Sequence, residues 1–413
     1  MTDSASTPNS FSRRLLVRLS RETSSGRFIP EMDGLRFVAI AMVVLFHLNG
    51  YLTAKAVSPQ YAFTARSDWI TQVALVGLGF RGVELFFVIS GFILGLPFAA
   101  HCIAGAPRVS LSKYYLRRLT RLEPPYFVTI FILLLLAIAI QRKAVTALLP
   151  HLIASLCYMH NLIYARPSPA LGVAWSLEIE VQFYILVPVL TLFFAVKRRW
   201  LRRCLLLAVM AGSLAAQTLY LPDHPRLALS ILAYLQYFLA GFLLADIFLV
   251  DWKQSPLLSM HWDFAALAGW PVMFVVLRSA TISHWIFPYL LLLLYCAAFR
   301  GTWTNRLFSH PWITAIGGMC YSIYLIHYEV ISAVARFTKS VSEGAPYWIH
   351  LLVQFAAVGS AVVLICGLYF VVLEKPCMRR DWPRRLWTAL SARIPHKPVR
   401  ETYAASDLRA SLR

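Results

Sequence analysis

Ten apolar runs along the chain are long enough to cross a lipid bilayer, for which about 20 residues are needed. Short polar segments separate them. Runs of this length and polarity are typical of transmembrane helices, so the pattern predicts an all-α, polytopic membrane helix bundle of about ten transmembrane helices. The runs lie at residues 35–52, 72–98, 126–140, 175–196, 203–220, 226–249, 264–278, 285–299, 311–336 and 348–373.

Basic residues are concentrated in four of the segments that flank these runs, at 13–27, 108–121, 197–203 and 375–385. Short cytoplasmic loops carry an excess of Lys and Arg, so the clusters report on orientation. Placing all four inside predicts that both termini are cytoplasmic, and it leaves no crossing for a further apolar stretch at 147–164. We therefore expect 141–174 to form a re-entrant or surface helix plus a loop on the outer side, despite the basic residues Arg142 and Lys143.

The composition supports a membrane protein, since 59% of the 413 residues are hydrophobic, 14% are charged and the mean hydropathy is +0.63. A net charge of +20 could indicate nucleic-acid binding in a soluble chain, but these basic residues lie between apolar runs, so no nucleic acid is expected. The seven cysteines are scattered without metal-ligand spacing, which predicts neither a disulfide nor a metal site. We expect a basic cytoplasmic N-terminal tail over 1–30, a transmembrane domain over 31–376 and a basic cytoplasmic C-terminal tail over 377–413.

Arg36 and His47 are two polar residues in the first apolar run. Eleven residues of α-helix turn through about 1100° and rise about 16 Å, so both side chains lie on one face at different depths. Polar groups inside a membrane usually face a bundle interior or a wet cavity. The alternative is that Arg36 reaches lipid headgroups and His47 only bonds a neighbouring helix.

Three further side chains fit a site that binds an anion and transfers a proton. Arg118 and Arg121 are one helical turn apart on the predicted cytoplasmic side, where paired guanidiniums can hold phosphate. Their alternative role is to set the topology. Glu84 is expected in the outer half of the bundle, where its carboxylate could orient His47; the alternative is an ion pair with Arg81.

Six segments, taken in order, resemble the membrane-bound acyltransferase-3 family between residues 30 and 380. The first, IPEMDGLRFVAIAMVVLFH (29–47), contains the family's Arg, ten residues and His. The others are RGVELFFVISGFILG (81–95), YYLRRLTRLEPPYF (114–127), AWSLEIEVQFYILVPVL (174–190), CYSIYLIH (320–327) and LEKPCMR (373–379).

The resemblance implies roles for several residues. It places Arg118 and Arg121 in the donor site, and Arg36 on the same side could hold a phosphate or line the entrance. It also selects Glu180 rather than Glu178 as the glutamate of its motif, with a buried structural ion pair as the alternative for Glu180. The family usually has Asp where Glu84 stands, and its members often have a proline two residues after the position of His327, where this chain has Glu329; His327 is therefore a weaker candidate. Trp175 and Tyr184 are further candidates for lining residues.

The implied activity is transfer of an acyl group, usually acetyl, from cytoplasmic acyl-CoA to a hydroxyl, by a multi-pass enzyme of the bacterial inner membrane. His47 would act as a general base or as an acyl relay, with Glu84 and Glu180 as its catalytic companions and no metal. The expected acceptor is a cell-envelope or secreted glycan or a lipid-linked saccharide, with lipo-oligosaccharides or antibiotics as alternatives. Expected partners are membrane lipid, a second copy of the chain or a separate extracytoplasmic protein. A secondary transporter or a non-catalytic scaffold is the competing class, but the sequence shows no clear repeat.

Overall fold

A computed structural model of the chain describes residues 10–22, 28–55, 79–140, 142, 144–169, 171–278, 280–342, 344–379 and 381–391. Within these ranges the secondary structure is helical, with no strand. The α-helices of eight or more residues are α1 Ser10–Leu19, α2 Pro30–Ala54, α3 Gly82–Ala104, α4 Leu111–Ala139, α5 Val145–Leu156, α6 Trp175–Leu190, α7 Arg199–Leu219, α8 Leu235–Val250, α9 Met260–Arg278, α10 Ala280–Arg300, α11 Pro311–Gly318, α12 Cys320–Thr338, α13 Tyr347–Tyr369 and α14 Trp382–Ser391.

The protein is an all-helical membrane protein. Large apolar side chains such as Leu219, Phe337 and Leu364 are 77%, 79% and 73% exposed, which suits contact with lipid rather than water. Ten membrane crossings and cytoplasmic termini stay predictions. Six helical segments among the described residues are long and apolar enough to span a bilayer: Pro30–Ala54, Gly79–Ala104, Leu111–Ala139, Gly172–Ala195, Ser283–Arg300 and Tyr347–Cys377.

Two of the predicted runs contain more than one α-helix. The run 226–249 contains a short helix, Pro225–Ala228, and a 3-10 turn, Ile231–Ala233, before α8 begins. Its break is stabilised from outside the run, because the side chain of Gln182 accepts a hydrogen bond from the backbone N–H of Ile231 at 2.9 Å. The run 311–336 is divided between α11 and α12.

The region before the fourth predicted span also differs in detail from the expectation. The predicted run begins at residue 126, whereas helix α4 begins at Leu111, so Pro124 and Pro125 lie inside the helix. The doubtful stretch 147–164 contains α5 and the short helix His160–Tyr164. With 12 residues, α5 is about 18 Å long and too short to cross the hydrocarbon core. Its length is compatible with the predicted re-entrant or surface helix.

Helix α2 lies at the centre of the bundle, and α12 runs parallel to it. Asp33 lies against Gly317 at the start of the pair, and further along the hydroxyl of Tyr51 bonds the carbonyl of Ser332. A Cβ at Gly317 would lie 1.8 Å from the carbonyl oxygen of Asp33, so only glycine permits this approach. The parallel packing brings the two ends of α2 next to corresponding ends of α12.

Helices α3 and α8 make a second close backbone contact. A Cβ at Gly91 would lie 2.1 Å from the carbonyl oxygen of Phe238, and one at Gly241 would lie 2.2 Å from that of Val88. Small residues at such crossings allow helices in membranes to pack tightly. Ser90, the neighbour of Gly91 on α3, bonds Glu180 of α6 beside this contact.

Candidate functional site

Helix α2 carries polar side chains at two levels of the bundle. Arg36 lies one and a half turns from the start of α2, and His47 lies on the same helix beyond it. The electrostatic neighbours of Arg36 include Cys320, at the start of α12, while His47 contacts His327 of the same helix. The two residues therefore face one neighbouring helix, as their spacing predicts.

His47 and His327 form a hydrogen-bonded histidine pair. The Nδ1 atom of His47 lies 3.0 Å from the carbonyl oxygen of Val43 and 3.1 Å from Nε2 of His327. The Nδ1 atom of His327 lies 3.0 Å and 2.9 Å from the carbonyl oxygens of Ile323 and Tyr324. Because carbonyl oxygens only accept, both Nδ1 atoms carry protons in the neutral rings, and the Nε2 atom of His47 retains its lone pair.

Glu84 does not pair with His47, so that expectation is wrong. Its carboxylate accepts a hydrogen bond from Nη1 of Arg81 at 2.7 Å, and both residues are buried. The Arg81 guanidinium also lies over the ring of Phe287, so Glu84 faces α10 rather than α12. Arg81 is one turn away along the chain, and a buried carboxylate takes the nearest cation that can neutralise it.

At the level of Arg36, the Asp33 carboxylate bonds two arginines. Its carboxylate accepts from Nε of Arg21 at 2.8 Å and from Nη1 of Arg36, and its side chain is 1% exposed. Together with Arg118 and Arg121 these residues form an arginine cluster, the name used below for Arg21, Arg36, Arg118 and Arg121. Arg21 and Arg36 share the Asp33 carboxylate, while Arg121 acts electrostatically on both Arg21 and Arg118.

Arg118 and Arg121 have buried Nε atoms with no hydrogen-bond partner among the described residues. The Arg118 guanidinium lies 4.0 Å from the ring centre of Tyr114 and donates to the Tyr114 carbonyl at 3.0 Å. Neither arginine forms an ion pair with a carboxylate in the described part of the chain. An unmatched buried donor on a cation is costly, so the arrangement suits an anion that supplies the missing acceptors.

Glu180 lies near the arginine cluster and is bonded by Ser90. The Ser90 hydroxyl donates to Oε1 of Glu180, and the Tyr184 hydroxyl contacts the same carboxylate. Arg36 and Arg121 are both close enough to act electrostatically on Glu180. Glu180 therefore contacts Ser90 of α3 and also lies close to the arginine cluster.

Glu178 points away from Glu180, as the helical spacing requires. Its Oε2 atom accepts from the backbone N–H of Asn161 at 2.8 Å and so stabilises the segment after α5. The backbone carbonyl of Trp175 accepts from the Asn161 side chain, and its ring packs on Tyr234 rather than on Glu180. Of the two predicted lining residues, only Tyr184 contacts Glu180.

The described residues contain no group of three His, Cys, Asp or Glu side chains placed to hold a metal ion. A metal-independent reaction stays a prediction.

Three functional candidates were missed or underrated from the sequence. Asp33 has a local signal, since it lies one turn before Arg36 on the same helix. His327 has the same signal as His47, a lone histidine in an apolar run. Arg21 has no local signal, because its partner Asp33 lies 12 residues away beyond the start of α2.

Comparisons with known proteins agree on one family. A family model for acyltransferase-3, described as an acyltransferase domain, matches residues 29–371. The chain is similar to "Putative O-acetyltransferase SACOL0978" of Staphylococcus aureus strain COL, with 27% identity over 338 residues that cover 75% of this chain and 52% of that protein. It is also similar to the O-acetyltransferase OatA of Staphylococcus aureus strain NCTC 8325 / PS 47, with 24% identity over 355 residues that cover 79% and 54% of the two chains. The chain spans about half the length of these curated relatives, and no solved structure matches it.

Proposed function

Because the chain belongs to the acyltransferase-3 family, we propose that it is a membrane-bound O-acyltransferase. It moves an acyl group, acetyl in the first instance, from acyl-CoA to a hydroxyl of a cell-envelope or secreted glycan. One observation carries the proposal: α2 connects an arginine cluster with unmatched donors to a histidine whose Nε2 atom is basic. These are the two chemical requirements of the reaction, a site for a phosphorylated donor and a base for the acceptor.

The arginine cluster binds the phosphate groups of acyl-CoA. Arg118 and Arg121 supply unmatched Nε donors, and Arg36 is oriented by Asp33. Bidentate guanidinium contacts are the usual means of holding phosphate. The rise from Arg36 to His47 is about 16 Å, over which the extended pantetheine arm brings the thioester toward His47.

His47 takes a proton from the acceptor hydroxyl through its Nε2 atom. The hydroxyl oxygen forms a bond to the thioester carbonyl carbon, the carbon–sulfur bond breaks, and the proton passes from His47 to the departing thiolate. While His47 is positively charged, its Nδ1 proton is held by Val43 and His327. In this mechanism His47 is the base and His327 is the partner that orients it.

The same atom also serves an acyl-relay route. Nε2 of His47 attacks the thioester carbon, the carbon–sulfur bond breaks, and CoA leaves as a thiolate, so that an acyl-imidazolium with its Nδ1 proton is formed. The acceptor hydroxyl then attacks the acyl carbon, the carbon–nitrogen bond breaks to release neutral His47, and the hydroxyl proton passes to the thiolate. Both routes need an unprotonated Nε2 atom. They differ in whether acylated His47 accumulates when acyl-CoA is supplied without acceptor.

Aromatic rings next to His47 support a glycan acceptor. The rings of Phe46 and Tyr328 lie 5.2 Å and 5.6 Å from that of His47, and Phe80 lies 5.8 Å from Phe46. Phe80 and Tyr328 are 44% and 43% exposed, so their rings are accessible. Aromatic walls with a few polar groups are typical of small-ligand sites and suit the C–H face of a sugar ring. We infer that the acceptor approaches here, on the outer side of a bacterial inner membrane, while donor binds from the cytoplasm.

The test is acyl transfer by the full chain in lipid, supplied with radiolabelled acetyl-CoA and cell-envelope glycan. We expect His47→Ala to reduce labelling of the glycan to background, because the variant lacks the Nε2 atom that activates the hydroxyl. Mass spectrometry of surface glycans from cells with and without the protein identifies the modified sugar.

His261→Ala is the matched control, since His261 is exposed and far along the chain from both levels of the site. Equal thermal stability of the two variants shows that a loss of activity is not unfolding. Normal glycan labelling by His47→Ala contradicts the mechanism, and solute uptake without labelling by the wild type contradicts the enzyme class.

A further inference from the structure

The segment before α2 is docked on the bundle by bonds to the C-terminal part of the chain. The ammonium group of Lys375 donates to the carbonyl oxygens of Val17 and Arg18, both at 2.8 Å. Nε of Arg379 bonds Glu22 at 3.1 Å. Residues 10–22, called the N-terminal strap below, are therefore held at both α1 and the turn after it.

The strap places Arg21 inside the arginine cluster. The Arg21 side chain is 11% exposed, and its Nε atom donates to the Asp33 oxygen that Arg36 does not use. Its aliphatic part lies over Gly318, where a Cβ would be 3.6 Å from Cγ of Arg21. The position is thus defined by packing and by an ion pair.

Positive charge is crowded around Arg21, although the carboxylates of Glu180 and Glu374 also lie near the arginine cluster. Burial, and then the positive charge of Arg36, lower the pKa of Arg21 to about 10 in spite of the Asp33 carboxylate. Arg121 acts in the same direction as Arg36. Since Arg118 and Arg121 also lack acceptors for their buried Nε atoms, the site suits an anion that supplies several acceptor oxygens.

We propose that Arg21 is a further phosphate-binding residue of the donor site and that the N-terminal strap exists to place it there. Its ligand is the nucleotide part of acyl-CoA, which carries the phosphate groups, and the inference rests on the proposed function. Arg21 lies outside residues 29–371, so the family pattern does not include it. The strap also changes the role of the predicted basic tail, from a signal for orientation to a part of the binding site.

The experiment compares two donors on the purified full chain in lipid. Acetyl-CoA carries the nucleotide phosphates, whereas acetyl-pantetheine has the same thioester without them. We expect Arg21→Ala to raise the KM for acetyl-CoA about tenfold, as loss of a charged hydrogen bond does, and to leave the kinetics with acetyl-pantetheine unchanged. Binding of CoA measured by calorimetry should weaken by the same factor.

Arg18→Ala is the matched control, because it removes an equal charge from an exposed position on the strap. It should leave both donors unaffected. Equal loss with both donors means that Arg21 only supports the fold, and an unchanged KM for acetyl-CoA means that it binds no phosphate; either result overturns the inference. If the wild type itself binds no CoA, the proposed function fails instead.

Discussion

The chemistry open to His47 depends on which ring nitrogen carries its proton. Two backbone carbonyls place a proton on Nδ1 of His327, and the lone pair on Nε2 of His327 then accepts the Nδ1 proton of His47. His327 thereby holds His47 in the tautomer with a basic Nε2, as a buried carboxylate does in hydrolytic triads. A neutral ring does this without adding a second charge to the membrane interior, where charges are costly.

His327→Ala tests this positioning role. We expect kcat for acyl transfer to fall about 100-fold, because His47 loses the partner that fixes its tautomer and stabilises its charged form. The KM for acetyl-CoA should not change, since the arginine cluster lies at the other level of the bundle, away from the two histidines. Steady-state kinetics with varied acetyl-CoA separate the two constants.

His327→Gln serves as the conservative variant, because its amide oxygen can accept the Nδ1 proton of His47. It should recover part of the kcat that His327→Ala loses. Wild-type kcat in both variants would show that the contact between the two rings has no role in catalysis.

At the scale of helices, the site depends on how closely α3 approaches α8. Gly91 and Gly241 let the two backbones touch, and Ser90 is the residue next to Gly91. Any separation of the helices moves the Ser90 hydroxyl relative to Glu180. Packing and site geometry are therefore coupled through one helix contact.

We expect Gly91→Ala to destabilise the protein by about 1–3 kcal/mol, the usual cost of overpacking. The new methyl group would meet the Phe238 backbone, which cannot rotate away. Thermal unfolding in detergent measures the change, and acyl transfer should fall with it. Gly212→Ala is the control, because a Cβ at Gly212 meets nothing within 4 Å and alanine favours the helix. Equal melting temperatures for the two variants would contradict the tight contact.

The sequence predicts where helices occur better than where they break. Hydropathy is a local property, and α-helices are found in each of the ten apolar runs over the residues that the structure describes. The break before α8 depends on Gln182, about 50 residues away, and the one between α11 and α12 lies beside the close contact of Gly317 with Asp33. Such tertiary contacts leave no periodic signal in the chain.

The same limit explains which parts of the site could be predicted. Arg36 and His47 share one helix, so their spacing alone places them on one face. The pairs that cross between helices, His47 with His327 and Ser90 with Glu180, depend on packing that the spacing does not contain. The ion pair of Glu84, in contrast, could be predicted from the sequence, because Arg81 lies one helical turn away on the same helix face.

At the scale of the whole molecule, the direction of the helices ties the site to the membrane. Helices α2 and α12 run parallel, with Asp33 beside Gly317 at one end and Tyr51 bonded to Ser332 at the other. They belong to the first and ninth predicted runs, which cross in the same direction in a ten-span topology. The arginine cluster must then lie on the side where both helices start, and acyl-CoA requires that side to be the cytoplasm.

Three exposed native cysteines provide a test of this topology. Cys102 and Cys204 lie in predicted cytoplasmic loops or next to them, and Cys157 lies in the 141–174 region predicted outside. In single-cysteine variants on spheroplasts, an impermeant maleimide should label Cys157 directly, and Cys102 and Cys204 only after the membrane is permeabilised. Labelling in denaturant confirms that all three thiols are reactive. If 147–164 crosses the membrane, Cys204 is instead labelled from outside while Cys102 is protected. Labelling of Cys102 from outside has a different meaning, because it would place the arginine cluster away from cytoplasmic acyl-CoA and contradict the proposed donor.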